Sequence, residues 1–470
     1  MRTVATSNTA LGSFTDERDV LLGVRPRLLL RGETPRLQVV GNIEVDAVNY
    51  TRGTQDNVVL PRGDLLARVA VVERAFFLEG AARAAQTSIN PFGARFGITN
   101  VDNTATTTEY RLSPYVEMEP THGLHVRARS DNSETNANGV AVDARVGRSY
   151  FARHTASIEQ DPRPFGWRLE GESNRTRFQN ESTRLNADVA RALVNYAPID
   201  TLSFGLRGGT ERNNFFPSEF SGPVYGGQLA WRPTERTALD LYGEHRFFGT
   251  AWHLNFSHRS PFIAWTLGYS RDIDTTPEAL FDLPATDNVA GLLDSILTTR
   301  FPNPVDRAKQ VQDLINSRGL PSSIPSTLQI IEARLSRTNT VSATVAFLGV
   351  RSSLAASVYR SEIRDLLDSG SLAADDPTTN NRRVGASLAY ALRLSPTVTG
   401  SLIVDYSRID TLEPATVSGH SKQGAVRGEL GMRIGPKSSL RFGAEYRKLA
   451  STLVPSGNEA LASVELAHTF

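Results

Sequence analysis

The sequence lacks three features that would point to common classes of protein. It has no cysteine among its 470 residues, which excludes a disulfide framework, a thiol nucleophile, a thiolate zinc site and an attached c-type haem. It has no run of about 18 apolar residues, which excludes a helical membrane protein. Lysine is rare, so nearly all of the 51 basic residues are arginines. Arginine forms bidentate pairs with carboxylates, which suits an interior lined by charge.

The charge balance and the length narrow the class further. The formal net charge is +1, and a chain so close to neutral is not expected to bind nucleic acid. A chain of this length normally divides into two or more soluble domains, but neither a linker nor a change of composition interrupts it. We therefore expect one repetitive architecture over residues 1–470.

The C-terminal segment, residues 461–470, alternates between two rows of side chains. The mostly apolar row consists of Ala462, Val464, Leu466, His468 and Phe470. A period of two predicts a strand with one apolar and one polar face. Such a strand, ending on an aromatic residue, resembles the last strand of a bacterial outer-membrane barrel. The alternative is the edge strand of a soluble sheet.

The rest of the chain repeats this pattern and favours the barrel. Segments 425–434 and 440–447 alternate in the same way on either side of a turn at 435–438. Short turns and long polar loops follow each other along the sequence, as in barrels with short periplasmic turns and long extracellular loops. We predict an all-β fold, a transmembrane antiparallel up-and-down β-barrel of about 22 strands, with 20 as the alternative count.

Proline and tryptophan positions refine the strand prediction. Pro26 falls inside an alternating segment and cannot donate a ladder hydrogen bond, so we expect a bulge or an edge there. Four tryptophans fall near predicted strand ends, as expected for an interfacial aromatic girdle. They are Trp167, Trp231, Trp252 and Trp265.

One long loop, residues 274–332, departs from the strand pattern. Its apolar spacing predicts helices near 287–299 and 304–318, the second starting at Pro304 after a possible Asn303 cap. By strand parity we expect this loop to be extracellular. The candidate plug or lid residues are Leu292, Leu293, Ile296, Val311, Leu314 and Ile315. An apolar stripe must be covered. The simpler interpretation is a lid packed on the barrel's own rim, and the alternative is a plug folded into the lumen or a docking surface; we favour packing against the barrel.

If the apolar rows face lipid, the rows between them line a charged lumen. The candidate patch consists of Arg25, Arg27, Arg68, Arg127, Arg129, Arg427, Arg433, Arg441 and Glu445. The simpler interpretation is a mesh of salt bridges that stiffens the wall. The functional alternative is a conduit for an anionic or sugar-rich polymer, because arginine matches carboxylates and aromatic rings stack on sugars. We find no catalytic or metal site, expect no cofactor, and predict that the protein is not an enzyme.

Several motifs resemble the uncharacterised outer-membrane β-barrel family associated with the PEP-CTERM/exosortase system. They are Ser88-Ile89-Asn90-Pro91-Phe92-Gly93, Ser113-Pro114-Tyr115, Leu292-Leu293-Asp294, Phe301-Pro302-Asn303-Pro304, Arg318-Gly319-Leu320-Pro321 and Ala346-Phe347-Leu348-Gly349-Val350-Arg351. The resemblance implies the outer membrane of a Gram-negative bacterium and a link to exopolysaccharide production and protein sorting. It implies no activity and no functional residues.

These observations predict a porin-like barrel in the bacterial outer membrane that forms a pore, or an envelope component, for exopolysaccharide-linked export. The alternative is a non-conducting structural or docking barrel that presents its helical loop to surface partners. The expected partners are the lipid bilayer and lipopolysaccharide, with exopolysaccharide or envelope proteins as further candidates. Residues 1–20 contain no signal peptide, so we expect that a signal has been removed from this sequence.

Overall fold

The computed structural model describes most of the chain. The described residues are 1–11, 17–94, 97–138, 147–179, 184–216, 219–275, 288–318, 320, 335–366, 380–413 and 418–469.

Strands dominate this part of the chain, and each is antiparallel to its neighbours. They are β1 Arg2–Thr6, β2 Asp19–Val24, β3 Arg27–Glu33, β4 Leu37–Tyr50, β5 Val58–Val72, β6 Phe76–Ser88, β7 Thr104–Thr121, β8 Leu124–Asn138, β9 Arg148–Gln160, β10 Phe165–Phe178, β11 Arg184–Ile199, β12 Leu202–Asn213, β13 Phe220–Thr234, β14 Thr237–Arg246, β15 Gly249–Arg259, β16 Ile263–Thr275, β17 Leu335–Leu348, β18 Ser352–Asp365, β19 Asn381–Arg393, β20 Val398–Thr411, β21 His420–Arg433, β22 Ser438–Ser451 and β23 Gly457–His468.

These segments form a closed barrel of 22 strands, which confirms the predicted fold. Both β2 and β3 pair with β4, so they are two halves of one barrel strand. Pro26 lies at the break between them, as predicted, and its carbonyl still accepts a hydrogen bond from the Val45 amide at 3.1 Å. All five residues of β1 pair with both β2 and β23, which closes the barrel. β3 pairs with β4 alone among the described strands.

The apolar rows lie on the outside of this barrel. On β23, Val464 is 45% exposed and Leu466 is 47% exposed, while Glu465 between them is half-buried. The four tryptophans are also partly exposed on outward positions, three near one end of the barrel and Trp252 near the other. A closed barrel pairs its backbone groups within the wall, so its apolar outer surface can face hydrocarbon.

The two ends of the barrel differ in their connections. At one end, which we call the short-turn end, turns such as Ser260-Pro261-Phe262 join the strands. At the other, the long-loop end, most connections are longer. The Phe247-Phe248 turn between β14 and β15 is a short connection at the long-loop end that the sequence did not predict.

Two helices interrupt the strands between β16 and β17. They are α1, Asn288–Leu297, and α2, Pro304–Arg318, close to the predicted 287–299 and 304–318. Position 287 and the predicted stop at Gly319 and Pro321 lie outside the described residues. A 3-10 helix at Val101–Asn103 was not predicted. None of the described helices is long and apolar enough to cross a membrane.

Candidate functional site: the barrel lumen

The helix pair α1–α2 packs against the inner face of the barrel wall. Its apolar stripe shares one buried cluster with five strand alanines: Ala264, Ala346, Ala355, Ala389 and Ala391. Each alanine lies on the row opposite to the exposed apolar row of its strand; Ala264, for example, is flanked by the exposed Ile263 and Trp265. Alanine leaves room for a helix to approach the wall closely, and Ala355 and Ala391 are 0% exposed.

The helix pair lies near the short-turn end of the barrel. Ala264 is close to the start of β16, and Ala346 and Ala391 are close to the ends of β17 and β19, all of which meet short turns. The segment that carries the helices is nevertheless inserted at the long-loop end, between the paired residues Thr275 and Leu335. The chain therefore brings α1 and α2 to the mouth opposite to the one where the insertion begins.

The predicted plug residues form the contact with the wall. Leu292, Leu293, Ile296, Val311 and Ile315 are buried in the shared cluster, and Leu314 packs against it. On α1 the buried positions recur at helical spacing, because one face of an amphipathic helix covers the wall.

Two arginines hold the helix pair in place. The Arg259 guanidinium, at the end of β15, donates to the Ser295 carbonyl at 3.4 Å and to the Thr299 hydroxyl at 3.2 Å. The Arg307 guanidinium of α2 donates to the Asp294 carboxylate of α1 at 2.8 Å. One arginine thus ties α1 to the wall, and the other ties the two helices together.

The predicted lumen arginines on the early strands mostly have partners. Arg25 pairs with Asp46, whose carboxylate is fully buried and also accepts from Arg2, each at 2.8 Å. Arg27 donates to the Asn42 side-chain carbonyl. Arg127 pairs with Glu117. These contacts match the interpretation of a stiffening mesh.

Arg68 and Arg129 gather around one aromatic pair. Phe77 and Tyr115 stack with ring centroids 5.0 Å apart, and the Arg68 guanidinium carbon lies 4.5 Å from the Phe77 centroid. Arg129 lies 5.0 Å from the Tyr115 centroid and pairs with Glu79 and Asp131, each at 2.7 Å.

The predicted residues on the last strands lie apart from that group. The Arg427 guanidinium donates to the Glu445 carboxylate at 2.7 Å, and Glu445 also pairs with Arg447. Arg433 is exposed and donates to the Pro396 carbonyl. Arg441 is directly opposite Glu465 in the strand register. The nine predicted patch residues therefore belong to separate groups along the wall.

The most buried charge cluster among the described residues lies outside the predicted patch. Glu244, 2% exposed, pairs with Arg191 at 2.8 Å and with Arg207 at 3.2 Å, and Arg246 pairs with Glu211 at 3.0 Å. The cluster lines a cavity of about 420 Å³. The sequence feature that could have indicated this cluster is the spacing of Glu244 and Arg246, two residues apart on the inward row of β14.

A second missed residue, Glu459, connects the ends of the chain. Its carboxylate is 0% exposed and accepts hydrogen bonds from the Thr6 hydroxyl at 2.7 Å and the Thr99 hydroxyl at 3.2 Å. The Arg447 guanidinium also forms a salt bridge with the Glu459 carboxylate, at 3.4 Å. Glu459 thus links β23 to β1, where the barrel closes.

A charge pair at the long-loop end is exposed by contrast. The Arg212 guanidinium donates two hydrogen bonds, at 2.7 and 2.6 Å, to the Glu219 carboxylate. These hydrogen bonds lower the pKa of Glu219. Within the described ranges, no group of three or more His, Asp or Glu side chains could hold a metal ion.

The barrel and its outer surface place the protein in a membrane. A closed antiparallel β-barrel of 22 strands with an apolar outside is the architecture of bacterial outer-membrane proteins. The protein is an outer-membrane β-barrel in contact with the lipid bilayer.

Comparison with known proteins gives no family. No family model matches the chain, and no curated protein matches it. Among solved structures, the FrpB iron transporter from Neisseria meningitidis (F5-1 variant) shares 10% identity, covering 100% of this chain and 82% of that chain, with a TM-score of 0.47. BauA, the ferric preacinetobactin receptor from Acinetobacter baumannii, shares 10% identity over 99% of this chain and 79% of its own, with a TM-score of 0.41. OccK1 (OpdK) from Pseudomonas aeruginosa shares 10% identity, covering 84% of this chain and 98% of that chain, with a TM-score of 0.36.

Proposed function

We propose that the protein is an outer-membrane channel whose lumen is narrowed by the helix pair acting as a plug at the periplasmic mouth. The observation that supports this proposal best is the packing of α1 and α2 on inward-facing alanines near the short-turn end. Short turns are periplasmic in outer-membrane barrels, so the helices would narrow the exit to the periplasm.

The size of the barrel favours a narrowed opening over a sealed one. With strands about 4.8 Å apart and tilted by about 40°, 22 strands enclose a backbone diameter of roughly 44 Å. Each helix is about 10–12 Å wide with its side chains. The described helices contact β16 to β20. Because both helices contact the wall, they would extend about one helix diameter, roughly 10–12 Å, into the lumen and leave a passage along the opposite wall.

The chemistry of that passage favours polar solutes. Its wall carries arginines and carboxylates together, as in the Arg25–Asp46 and Arg127–Glu117 pairs. Mixed charge keeps the lumen wet and does not by itself select a polyanion. The exopolysaccharide cargo and the link to PEP-CTERM sorting therefore remain predictions from the sequence resemblance.

The alternative, a docking barrel that presents its helices to surface partners, has less support. Its apolar stripe would have to be available to a partner, but Leu292, Leu293 and Ile296 are buried against the wall. A partner would first have to displace them.

Single-channel recording in planar lipid bilayers tests the proposal. We expect steady conductance from the intact protein and a several-fold larger conductance after deletion of 287–319, because the deletion removes both helices. Deletion of 367–379 shortens another connection at the long-loop end and serves as the control. It should leave the conductance close to that of the intact protein. Electrical silence of both the intact protein and the 287–319 deletion would rule out a channel.

A further inference from the structure

The guanidinium of Arg68 is an unusual cation on the inner wall. It lies over the Phe77 ring at 4.5 Å and 5.6 Å from the Tyr115 centroid, and it is half-buried. Within the described part of the chain, neither a carboxylate nor a hydrogen-bond acceptor lies within bonding distance of it. A stacked guanidinium keeps its N–H edge available for an anion.

The carboxylate opposite Arg68 is already occupied. Glu79 is directly opposite Arg68 in the strand register, but its carboxylate pairs with Arg129 at 2.7 Å and Arg111 at 3.7 Å. The Arg129 guanidinium also pairs with Asp131 at 2.7 Å, so Arg68 does not share these carboxylates.

Apolar side chains lie exposed beside this cation. Leu66 is two residues before Arg68 on the same inward row, and Val40 is directly opposite Leu66. Val40 is 56% exposed and Leu66 is 38% exposed. The inward direction of this row follows from Asp46 and Glu44, which share the parity of Val40 and pair with Arg25. These two exposed aliphatic side chains beside a cation could cover the apolar body of a ligand.

The position of this group suits a ligand that passes through the lumen. β6 and β17 lie eleven strands apart in either direction around the 22-strand barrel, so Arg68 and Phe77 face the wall that carries the helix pair. The passage of the proposed channel, between the helices and the opposite wall, would run past them.

We propose that Arg68, Leu66 and Val40 form a binding subsite for small amphipathic monocarboxylates inside the lumen. The guanidinium binds the carboxylate through charge-assisted hydrogen bonds, and the two aliphatic side chains cover the apolar body. The subsite deepens the proposed channel function, because it names the class of solute that the passage would favour.

Ligand binding in detergent micelles tests the subsite without requiring conduction. The probe is phenylacetate, titrated into the full-length protein and followed by calorimetry or saturation-transfer NMR. Two analogues separate the contributions: acetate keeps the charge and lacks the apolar body, and phenylacetamide keeps the body and lacks the charge. We expect both to bind at least about tenfold more weakly than phenylacetate.

Two variants and one matched control locate the site. Arg68→Gln should weaken phenylacetate binding about tenfold or more, and Leu66→Ser should weaken it several-fold. Arg168→Gln makes the same change at another inward arginine, which pairs with Glu170 at 3.1 Å, and it should leave the affinity unchanged. Equal affinity in Arg68→Gln and the unmodified protein would overturn the subsite, as would equal binding of acetate and phenylacetate.

The channel and the subsite can fail separately. An electrically silent protein that binds phenylacetate through Arg68 would refute the channel and keep the subsite. A conducting protein that does not bind phenylacetate would refute the subsite and keep the channel.

Discussion

Arginine carries nearly all of the positive charge on the inner wall, and it pairs across distances that the sequence does not reveal. Arg191 on β11 reaches Glu244 on β14 at 2.8 Å, past two intervening strands. Arg129 bonds Glu79 two strands away and also Asp131 on its own strand. A long side chain with a planar fork can choose among several carboxylates.

At the scale of single residues, Glu459 gives a prediction about stability. The Glu459→Ala variant leaves Arg447 without that partner and removes the acceptor for Thr6 and Thr99. Removing one partner of a buried ion pair typically costs about 3 kcal/mol, so we expect the free energy of unfolding to fall by about that amount. Urea unfolding in detergent measures it.

Glu219→Ala is the matched control for this variant. It also breaks a pair with an arginine, but that pair is exposed, and exposed pairs contribute little to stability. An unfolding midpoint of Glu459→Ala equal to that of Glu219→Ala would contradict the role of Glu459 at the closure.

The alternation of charges revealed which row faces inward, but it did not reveal the groups that form on that row. Arg68 and Arg129 were predicted together and share an aromatic pair. Arg427 and Glu445 were predicted and pair directly. Arg191 and Arg207 were not singled out, because their common partner Glu244 is distant in sequence and only the curvature and register of the wall bring them together.

At the scale of elements, the sequence predicts the helices themselves but not the place where they pack. The apolar spacing of residues 288–318 predicts two helices and their buried faces, since these depend on local periodicity. It cannot predict which wall they cover. That depends on small residues of distant strands, such as Ala355 on β18 and Ala391 on β19, which leave space for the helices.

Ala391 provides a prediction for the helix pair. Ala391→Leu places extra methyl groups in a contact that is 0% exposed, and overpacking of this kind costs about 1–3 kcal/mol. The side chain points into the lumen, so the strain should fall on the docked helices and not on the barrel. We expect longer-lived high-conductance states in planar bilayers with unchanged thermal stability.

The control places the same substitution elsewhere on the inner wall. Ala425 lies on the inward row of β21 and does not belong to the helix cluster, so Ala425→Leu should leave the conductance unaffected. Identical current traces from the two leucine variants would contradict docking of the helices at Ala391.

Strand breaks were predictable only where one residue type forces them. Pro26 interrupts the ladder because proline has no backbone N–H, and the break lies where the sequence placed it. The tight Phe247-Phe248 turn has no such signal. Phe247 packs against Phe215 of the neighbouring connection and against Phe220 at the start of β13. These contacts exist only after the strands have assembled.

At the scale of the whole molecule, the period of two and the spacing of turns predicted the barrel and its 22 strands. These features depend on local sequence and on the rule that a barrel alternates its faces. The closure through β1 was less predictable, because β1 is only five residues long and pairs with β23 from the other end of the chain.

The central claim is that the outward apolar rows contact lipid. Because the chain has no cysteine, single cysteines can be placed along β21 and spin-labelled in reconstituted bilayers. The account predicts a period of two in accessibility, with oxygen reaching labels at Val426 and Leu430 and a water-soluble nickel reagent reaching labels at Arg427 and Glu429. The opposite phase, or a row at Val426 and Leu430 that neither reagent reaches, would contradict it.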